Sequence, residues 1–174
     1  MERNKVVLVD RKDNAIGEME KLLAHQQGEL HRAFSVFIFN DKGELLLQQR
    51  AANKYHGGGL WTNTCCSHPQ LGEDIKTSAE ERLYYEMGFK CDLKLVYSFI
   101  YKEPVENNLI EHELDYVFVG QTNQNPVLNQ DEVQSYKWIS PDEVLSDINE
   151  HPSRYTVWFK RAFPELMLEL TSLY

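Results

Sequence analysis

The chain of 174 residues is poor in cysteine and contains no long apolar run. Its three cysteines, two of them adjacent, do not make a disulfide framework, and free thiols fit a reducing compartment. Nearly apolar runs such as residues 33–39 are far shorter than the ~20 residues that cross a bilayer. The N-terminal residues do not have the pattern of a signal peptide. We therefore expect a cytoplasmic protein that does not bind a membrane.

Basic residues are outnumbered as well, with 18 Lys and Arg against 27 Asp and Glu and a net charge of −9. No long basic stripe is present, which argues against a nucleic-acid partner. An acidic chain can still bind an anion, but only through local Lys or Arg or through a metal ion. The length, and the lack of repeats or linkers, predict that residues 1–174 form one domain.

Periodicity predicts strands early in the chain and helices late. We expect strands at residues 6–9, 33–39, 44–49, 93–101, 114–119 and 135–139, with Pro104 in a loop. Helices are expected at residues 18–26 and at residues 73–87. A third helix should follow the capping box that begins at Ser140, and a fourth should run from a cap at Ser153 to Pro164, which kinks or ends it. Mostly antiparallel connections would give an α+β fold with a mixed or antiparallel sheet flanked by helices.

Two extended segments carry the residues of greatest chemical interest. Alternate side chains of a strand share a face, so Cys66 lies with His68 in one segment, and Glu111 lies with Glu113 in the other. If those faces meet, a thiol, an imidazole and two carboxylates converge. Such a group suits a metal site beside an acid–base pair. Taken singly, Cys66 would be an ordinary buried thiol, and the glutamates would be a solvated strand face.

Further histidines and charged residues extend this group. His25 and His31 could join His68, Glu111 and Glu113 in a shell for zinc, manganese or magnesium, whereas His56, His112 and His151 are interpreted as ordinary histidines. In the helix at residues 73–87, Arg82 and Glu86 share a face, which suits a Mg²⁺-bound diphosphate. The other candidate diphosphate and substrate contacts are Lys21, Arg50, Lys54 and Trp158, although each could equally be an ordinary surface cation or core aromatic residue.

Several segments together resemble type 1 isopentenyl-diphosphate Δ-isomerase. The most specific is Thr-Asn-x-x-Cys-x-His-Pro at residues 62–69; others are residues 31–37, 48–50, 84–88 and 111–113, and the resemblance covers residues 6–163. It implies a Nudix-type fold in which residues 73–88 are the Nudix helix. That helix departs from the hydrolase signature because Tyr85 stands where a glutamate is expected. The family's aromatic-Pro-Gly segment is replaced by Gly57-Gly58-Gly59.

The resemblance also implies roles for particular residues. Cys66 and Glu113 would be the catalytic pair, with Tyr101 bonded to Glu113. His25, His31, His68, Glu111 and Glu113 would hold one divalent ion (Zn²⁺, Mn²⁺ or Mg²⁺), Glu86 would help to hold Mg²⁺ on the diphosphate, and Lys21, Arg50, Lys54, Arg82 and Trp158 would contact the substrate.

We expect a single Nudix-like isomerase domain that acts on a prenyl diphosphate as a monomer or weak dimer. Glu113 with Tyr101 is the expected proton donor to C4 of the substrate and Cys66 the partner at C2, with the reverse assignment open. The alternatives are a Nudix hydrolase of a diphosphate, a non-catalytic module that senses a diphosphate, and a structural domain stabilised by metal.

Overall fold

The computed structural model describes residues 3–172. Within that part of the chain lie nine β-strands, four α-helices and one short 3₁₀ helix at Pro152–Arg154. The strands are β1 (Lys5–Val9), β2 (Ala15–Glu20), β3 (His31–Phe39), β4 (Leu45–Arg50), β5 (Trp61–Thr62), β6 (Cys65–Ser67), β7 (Lys94–Val105), β8 (Leu109–Gln121) and β9 (Val133–Ile139). The helices are α1 (Lys21–Gln27), α2 (Ile75–Met87), α3 (Pro141–Glu150) and α4 (Val157–Thr171).

Strand β3 is the centre of the sheet. It pairs antiparallel with β1, β4 and β6 and parallel with β8, while β8 pairs antiparallel with β7. The sheet is therefore mixed, and the α+β interpretation is confirmed. The parallel pairing sets His31 opposite Glu113, and the antiparallel pairing sets Tyr101 opposite the same glutamate. Residues from three neighbouring strands thereby meet at one point.

Helices cover both faces of this sheet. Because strand side chains alternate, Phe34 and Val36 belong to the core formed with α2, whereas Phe37 belongs to the core formed with α3 and α4. Cys65 lies in the α2 core, and Cys66 packs at the edge of the other core. The adjacent cysteines thus face opposite ways, as alternation along a strand requires.

The region predicted as a helix at residues 18–26 divides into a strand and a helix. Residues up to Glu20 form β2, which pairs with β1, and α1 begins only at Lys21. The side chain of Glu20 accepts hydrogen bonds from the amides of Leu22 and Leu23 and so caps the helix. The prediction of helix before Lys21 was wrong because pairing with β1 overrides a short and ambiguous pattern.

Proline positions were also misjudged. Pro104 lies inside β7 rather than in a loop. The sheet tolerates it because, among residues 3–172, β7 pairs only with β8 and so is an edge strand. Helix α4 is capped by Thr156, not Ser153, and continues through Pro164 to Thr171. Burial of Phe159, Phe163 and Leu166 outweighs the one helical hydrogen bond that Pro164 cannot donate. None of the helices in residues 3–172 has the length and apolarity needed to span a bilayer.

Candidate functional site

Glu113 contacts more polar side chains than any other residue of the site. Its Oε2 lies 3.1 Å from His31 Nε2 and 2.7 Å from His68 Nε2, and its Oε1 accepts a hydrogen bond from the Tyr101 hydroxyl. Burial alone would raise the pKa of Glu113, but the hydrogen bonds with His31 and His68 lower it well below its usual range. Glu113 is therefore a carboxylate at neutral pH.

The histidines are held in a definite orientation by the backbone. His25 Nδ1 lies 2.7 Å from the carbonyl oxygen of Lys21, and His31 Nδ1 lies 2.8 Å from that of Glu29. A carbonyl oxygen only accepts, so each Nδ1 carries a proton, and each Nε2 faces the carboxylates. This arrangement, with the outer nitrogen bonded to the backbone, is typical of metal-binding histidines.

A second buried carboxylate, Glu111, lies on the same face of β8. Its Oε1 is 3.4 Å from His25 Nε2 and 2.5 Å from His56 Nε2. Burial and the charge of Glu113 would raise the pKa of Glu111, but the contacts with His25 and His56 outweigh them and lower it. The same carboxylates raise the pKa of His25 to about 9 despite its burial, whereas burial lowers that of His68 to about 4.

This donor set fits a divalent metal ion. Ligand atoms of His25, His31, His68 and Glu113 all lie within 4.8 Å of one another, as do those of His25, His56 and Glu111. Within residues 3–172, His25 Nε2 is buried without a hydrogen-bond partner. A divalent cation would neutralise the two buried carboxylates and would bind the imidazole nitrogen that has no partner.

A cleft lined by basic side chains lies in front of these ligands. Its volume is about 70 Å³, and both Cys66 and Glu113 line it. Four basic residues also line it: Lys21, Arg50, Lys54 and Arg82. Burial, reinforced by the charges of Lys54 and Arg82, lowers the pKa of Lys21. Such a concentration of positive charge in an acidic protein is suited to binding an anion.

Helix α2 contributes a single carboxylate to the cleft. Glu86 Oε2 lies 2.6 Å from Arg82 Nε, and Glu86 Oε1 accepts a hydrogen bond of 3.0 Å from Gln48. Glu80 instead bonds the amide of Leu93, outside the cleft. The predicted pairing of Arg82 with Glu86 is present.

The Cys66 thiol and the Trp158 indole also line the cleft. Burial raises the pKa of the Cys66 thiol to about 12, although Arg50 acts in the opposite direction. The Arg50 guanidinium lies 5.0 Å from the centroid of Trp158, whose ring therefore already contacts a cation. Tyr101 is buried behind Glu113, stacked on Phe99. All of the predicted site residues thus line the cleft or lie directly behind it.

Two residues of the site were missed from the sequence. His56, interpreted as an ordinary histidine, is buried against Glu111. Glu132 lines the cleft and forms ion pairs with Lys54 and with Arg82, the latter at 3.1 Å. The glycines that follow His56 indicate a turn near the site and could have drawn attention to this histidine. No feature of the polar segment around Glu132 distinguishes this glutamate from its neighbours. His112 and His151 lie outside the cleft, as expected.

Comparison with known proteins gives a consistent result. The NUDIX domain family model matches residues 29–159. An isopentenyl-diphosphate Delta-isomerase 2 of Photorhabdus laumondii is 54% identical over 156 residues, covering 90% of this chain and 88% of the relative. An isopentenyl-diphosphate Delta-isomerase of Pectobacterium atrosepticum is 49% identical, covering 95% of this chain and 93% of the relative.

Solved structures agree on the fold. A protein of Deinococcus radiodurans superposes with a TM-score of 0.69 at 18% identity, covering 84% of this chain and 90% of that one. A MutT protein of Methanosarcina mazei superposes with a TM-score of 0.67 at 19% identity, covering 80% of this chain and 94% of that one. At this level of identity the likeness establishes the fold alone.

Proposed function

Because the chain belongs to the isopentenyl-diphosphate Δ-isomerase family of NUDIX-domain proteins, we propose that its cleft converts isopentenyl diphosphate into dimethylallyl diphosphate. One observation carries the proposal beyond family membership: a thiol and a carboxylate, Cys66 and Glu113, line the same cleft as four basic side chains. The basic side chains suit a diphosphate. The pair suits a reaction that adds one proton to a hydrocarbon and removes another.

The reaction sets strict demands on the site. An unactivated alkene is a poor base, so a positioned acid must protonate C4 and leave a tertiary carbocation at C3. A base must then remove a proton from C2. General acid–base assistance of this kind contributes about 10²–10⁴-fold to a rate. The face of the Trp158 indole, which already stacks with a cation, would stabilise the carbocation.

We assign Glu113, with Tyr101 behind it, to C4 and Cys66 to C2. At rest the proton of the pair is on Cys66, because burial raises the pKa of the thiol while His31 and His68 lower that of Glu113. The proton of Cys66 must therefore move to Glu113 before the alkene is protonated, which leaves Cys66 as a thiolate. The Tyr101 hydroxyl, which donates to Glu113, would relay it by giving its own proton to the carboxylate and taking the proton of the thiol in return. Removal of the C2 proton by the thiolate of Cys66 then returns both groups to their resting forms.

The diphosphate would bind among the basic side chains of the cleft. Lys21, Arg50, Lys54 and Arg82 would contact its oxygens, and Glu86 would help to hold a Mg²⁺ ion on it. The diphosphate must displace Glu132, whose carboxylate pairs with two of these cations in the free protein. Binding therefore replaces the ion pairs of Glu132 with those of the diphosphate. This exchange limits the net affinity, so that the product can also dissociate.

The divalent metal of the buried site would be held by His25, His31, His68, Glu111 and Glu113. When bound, it would fix the orientation of Glu113 and tune its acidity. We propose Zn²⁺, Mn²⁺ or Mg²⁺ for this ion. The proposal also takes the protein to work in the cytoplasm as a monomer or weak dimer, where reducing conditions would keep the Cys66 thiol free.

The direct test is to incubate the protein and Mg²⁺ with isopentenyl diphosphate and to measure dimethylallyl diphosphate. The C66A and E113Q variants should each lose at least about 10²-fold in kcat, because each removes one proton-transfer group. C91A is the matched control, since Cys91 lies outside the cleft, and it should retain full activity. Near-normal turnover in C66A or E113Q would refute the assigned pair, and release of phosphate without isomer would indicate hydrolysis.

A further inference from the structure

We infer that His56 is an additional ligand of the buried metal, so that four imidazoles and two carboxylates surround the ion. The inference rests on the metal site of the proposed function but not on the isomerisation itself. The residues that the family resemblance assigns to this ion are three histidines and two glutamates, and His56 is not among them. The assignment follows from the position of the His56 ring in this structure.

The contacts of His56 are those of a ligand rather than of a surface side chain. Only 6% of the residue is exposed, and its Nε2 lies 2.5 Å from Glu111 Oε1. Its ring centroid is 5.3 Å from that of His25. The ligand atoms of His25, His56 and Glu111 lie within 4.8 Å of one another, as do those of His25, His31, His68 and Glu113.

The two groups of ligands serve one ion, not two. Both contain His25, whose Nδ1 is bonded to the carbonyl oxygen of Lys21. Only its Nε2 is left for a metal, and one imidazole nitrogen coordinates a single ion. Because His25 Nε2 is buried without a hydrogen-bond partner within residues 3–172, it is the donor on which both groups converge.

The loop around His56 holds the ring in this position. Arg50 Nη2 donates to the carbonyl oxygen of His56 at 3.1 Å, and the next amide, that of Gly57, donates to Glu106. Gly57 has a φ of 66°, in the left-handed region that favours glycine. Asn107 donates to the carbonyl oxygen of Tyr55 at 2.8 Å. The glycine turn and the β7–β8 hairpin thus direct His56 toward the metal ligands.

An additional imidazole changes which metal the site prefers. Nitrogen donors favour zinc and other late transition metals, whereas Mg²⁺ prefers oxygen. We expect this protein to select Zn²⁺ or Co²⁺ over Mg²⁺ at the buried site more strongly than the same site without His56. The diphosphate end, which offers oxygen donors, would keep its preference for Mg²⁺.

Two measurements test the inference, and neither requires turnover. X-ray absorption of the wild-type protein loaded with one equivalent of Zn²⁺ should show four imidazole ligands, and a count of three would overturn the assignment. This measurement needs no variant, so it decides the question even where a substitution prevents folding. A protein without isomerase activity but with four imidazoles would refute the proposed function and leave the ligand assignment standing.

The second measurement is Zn²⁺ and Mg²⁺ affinity by competition with a chelator, in H56A and H56Q. Glutamine can still donate a hydrogen bond to Glu111, so H56Q separates a ligand from a mere hydrogen-bond partner. Both variants should bind Zn²⁺ at least about 100-fold more weakly and Mg²⁺ within about threefold of the wild type. The control H151A, at an exposed histidine, should leave both affinities unchanged. Zn²⁺ affinity in H56Q within about threefold of the wild type would overturn the inference.

Discussion

Two tyrosines of β7 offer a matched test of how a proton reaches Glu113. Tyr97 and Tyr101 flank Phe99 in a row of contacting rings, with centroids 5.7 and 5.5 Å from that of Phe99. The Tyr101 hydroxyl donates to the carboxylate of Glu113, whereas the Tyr97 hydroxyl donates to the carbonyl oxygen of Ala162 at 2.6 Å. Replacing either tyrosine with phenylalanine removes one oxygen and preserves the ring.

The partners of the two hydroxyls determine the size of each effect. A hydrogen bond to a charged group contributes about 1.5–3 kcal/mol, and about 1.4 kcal/mol of barrier is a factor of ten in rate. Y101F should therefore lower kcat by about 10- to 150-fold and leave KM unchanged, because the hydroxyl acts on the proton and not on the diphosphate. Y97F removes a bond to a neutral carbonyl group, which contributes about 0.5–1.5 kcal/mol of stability.

The assay compares kcat, KM and Tm for both variants. Y97F should lower Tm by a few degrees, at about 2–4 °C per kcal/mol for a chain of this size, and should keep the wild-type kcat. Y101F should show the opposite pattern, with kcat reduced far more than stability. If Y101F kept kcat within about twofold of the wild type, the hydroxyl would not supply the proton to Glu113, and that step would need another donor.

Two further predictions concern the charges of the cleft. Because burial raises the pKa of the Cys66 thiol to about 12, Cys66 and Glu113 together keep one proton throughout the neutral range. The kcat/KM of the metal-loaded enzyme should therefore stay flat from pH 7 to about 9. A fall in kcat/KM near the ordinary cysteine pKa of about 8.5, absent in C66S, would contradict this burial effect. E132Q frees Lys54 and Arg82 from two ion pairs of about 0.2–1 kcal/mol each, so KM should fall by about 2- to 30-fold. An increase in KM would show that Glu132 orients these cations rather than competing with the diphosphate.

Local pattern was sufficient to predict which side chains share a face. Alternation along β8 correctly set Glu111 beside Glu113, and helical spacing set Arg82 beside Glu86. Both relations depend only on the geometry of one element. The opposite orientations of Cys65 and Cys66 were predictable for the same reason.

Residues whose roles depend on loops were not predictable in this way. His56 enters the site because a glycine turn and contacts from Glu106 and Arg50 direct it inward, and no periodicity encodes that path. Glu132 precedes β9, and its position depends on how that strand pairs with β4. Tertiary pairing also decided the secondary structure at Glu20, where a strand replaced the predicted helix.

The parallel pairing of β3 with β8 has a consequence for folding as well as for chemistry. It joins His31 and Glu113, which are 82 positions apart in the chain, so the ligand shell exists only after the sheet has closed. A metal that binds only the folded chain stabilises it by about 2.7 kcal/mol at a free concentration 100 times its dissociation constant. An ion that orients Glu113, as proposed above, would therefore also keep the two halves of the sheet together, and removal of the metal would lower the amount of folded protein as well as its activity.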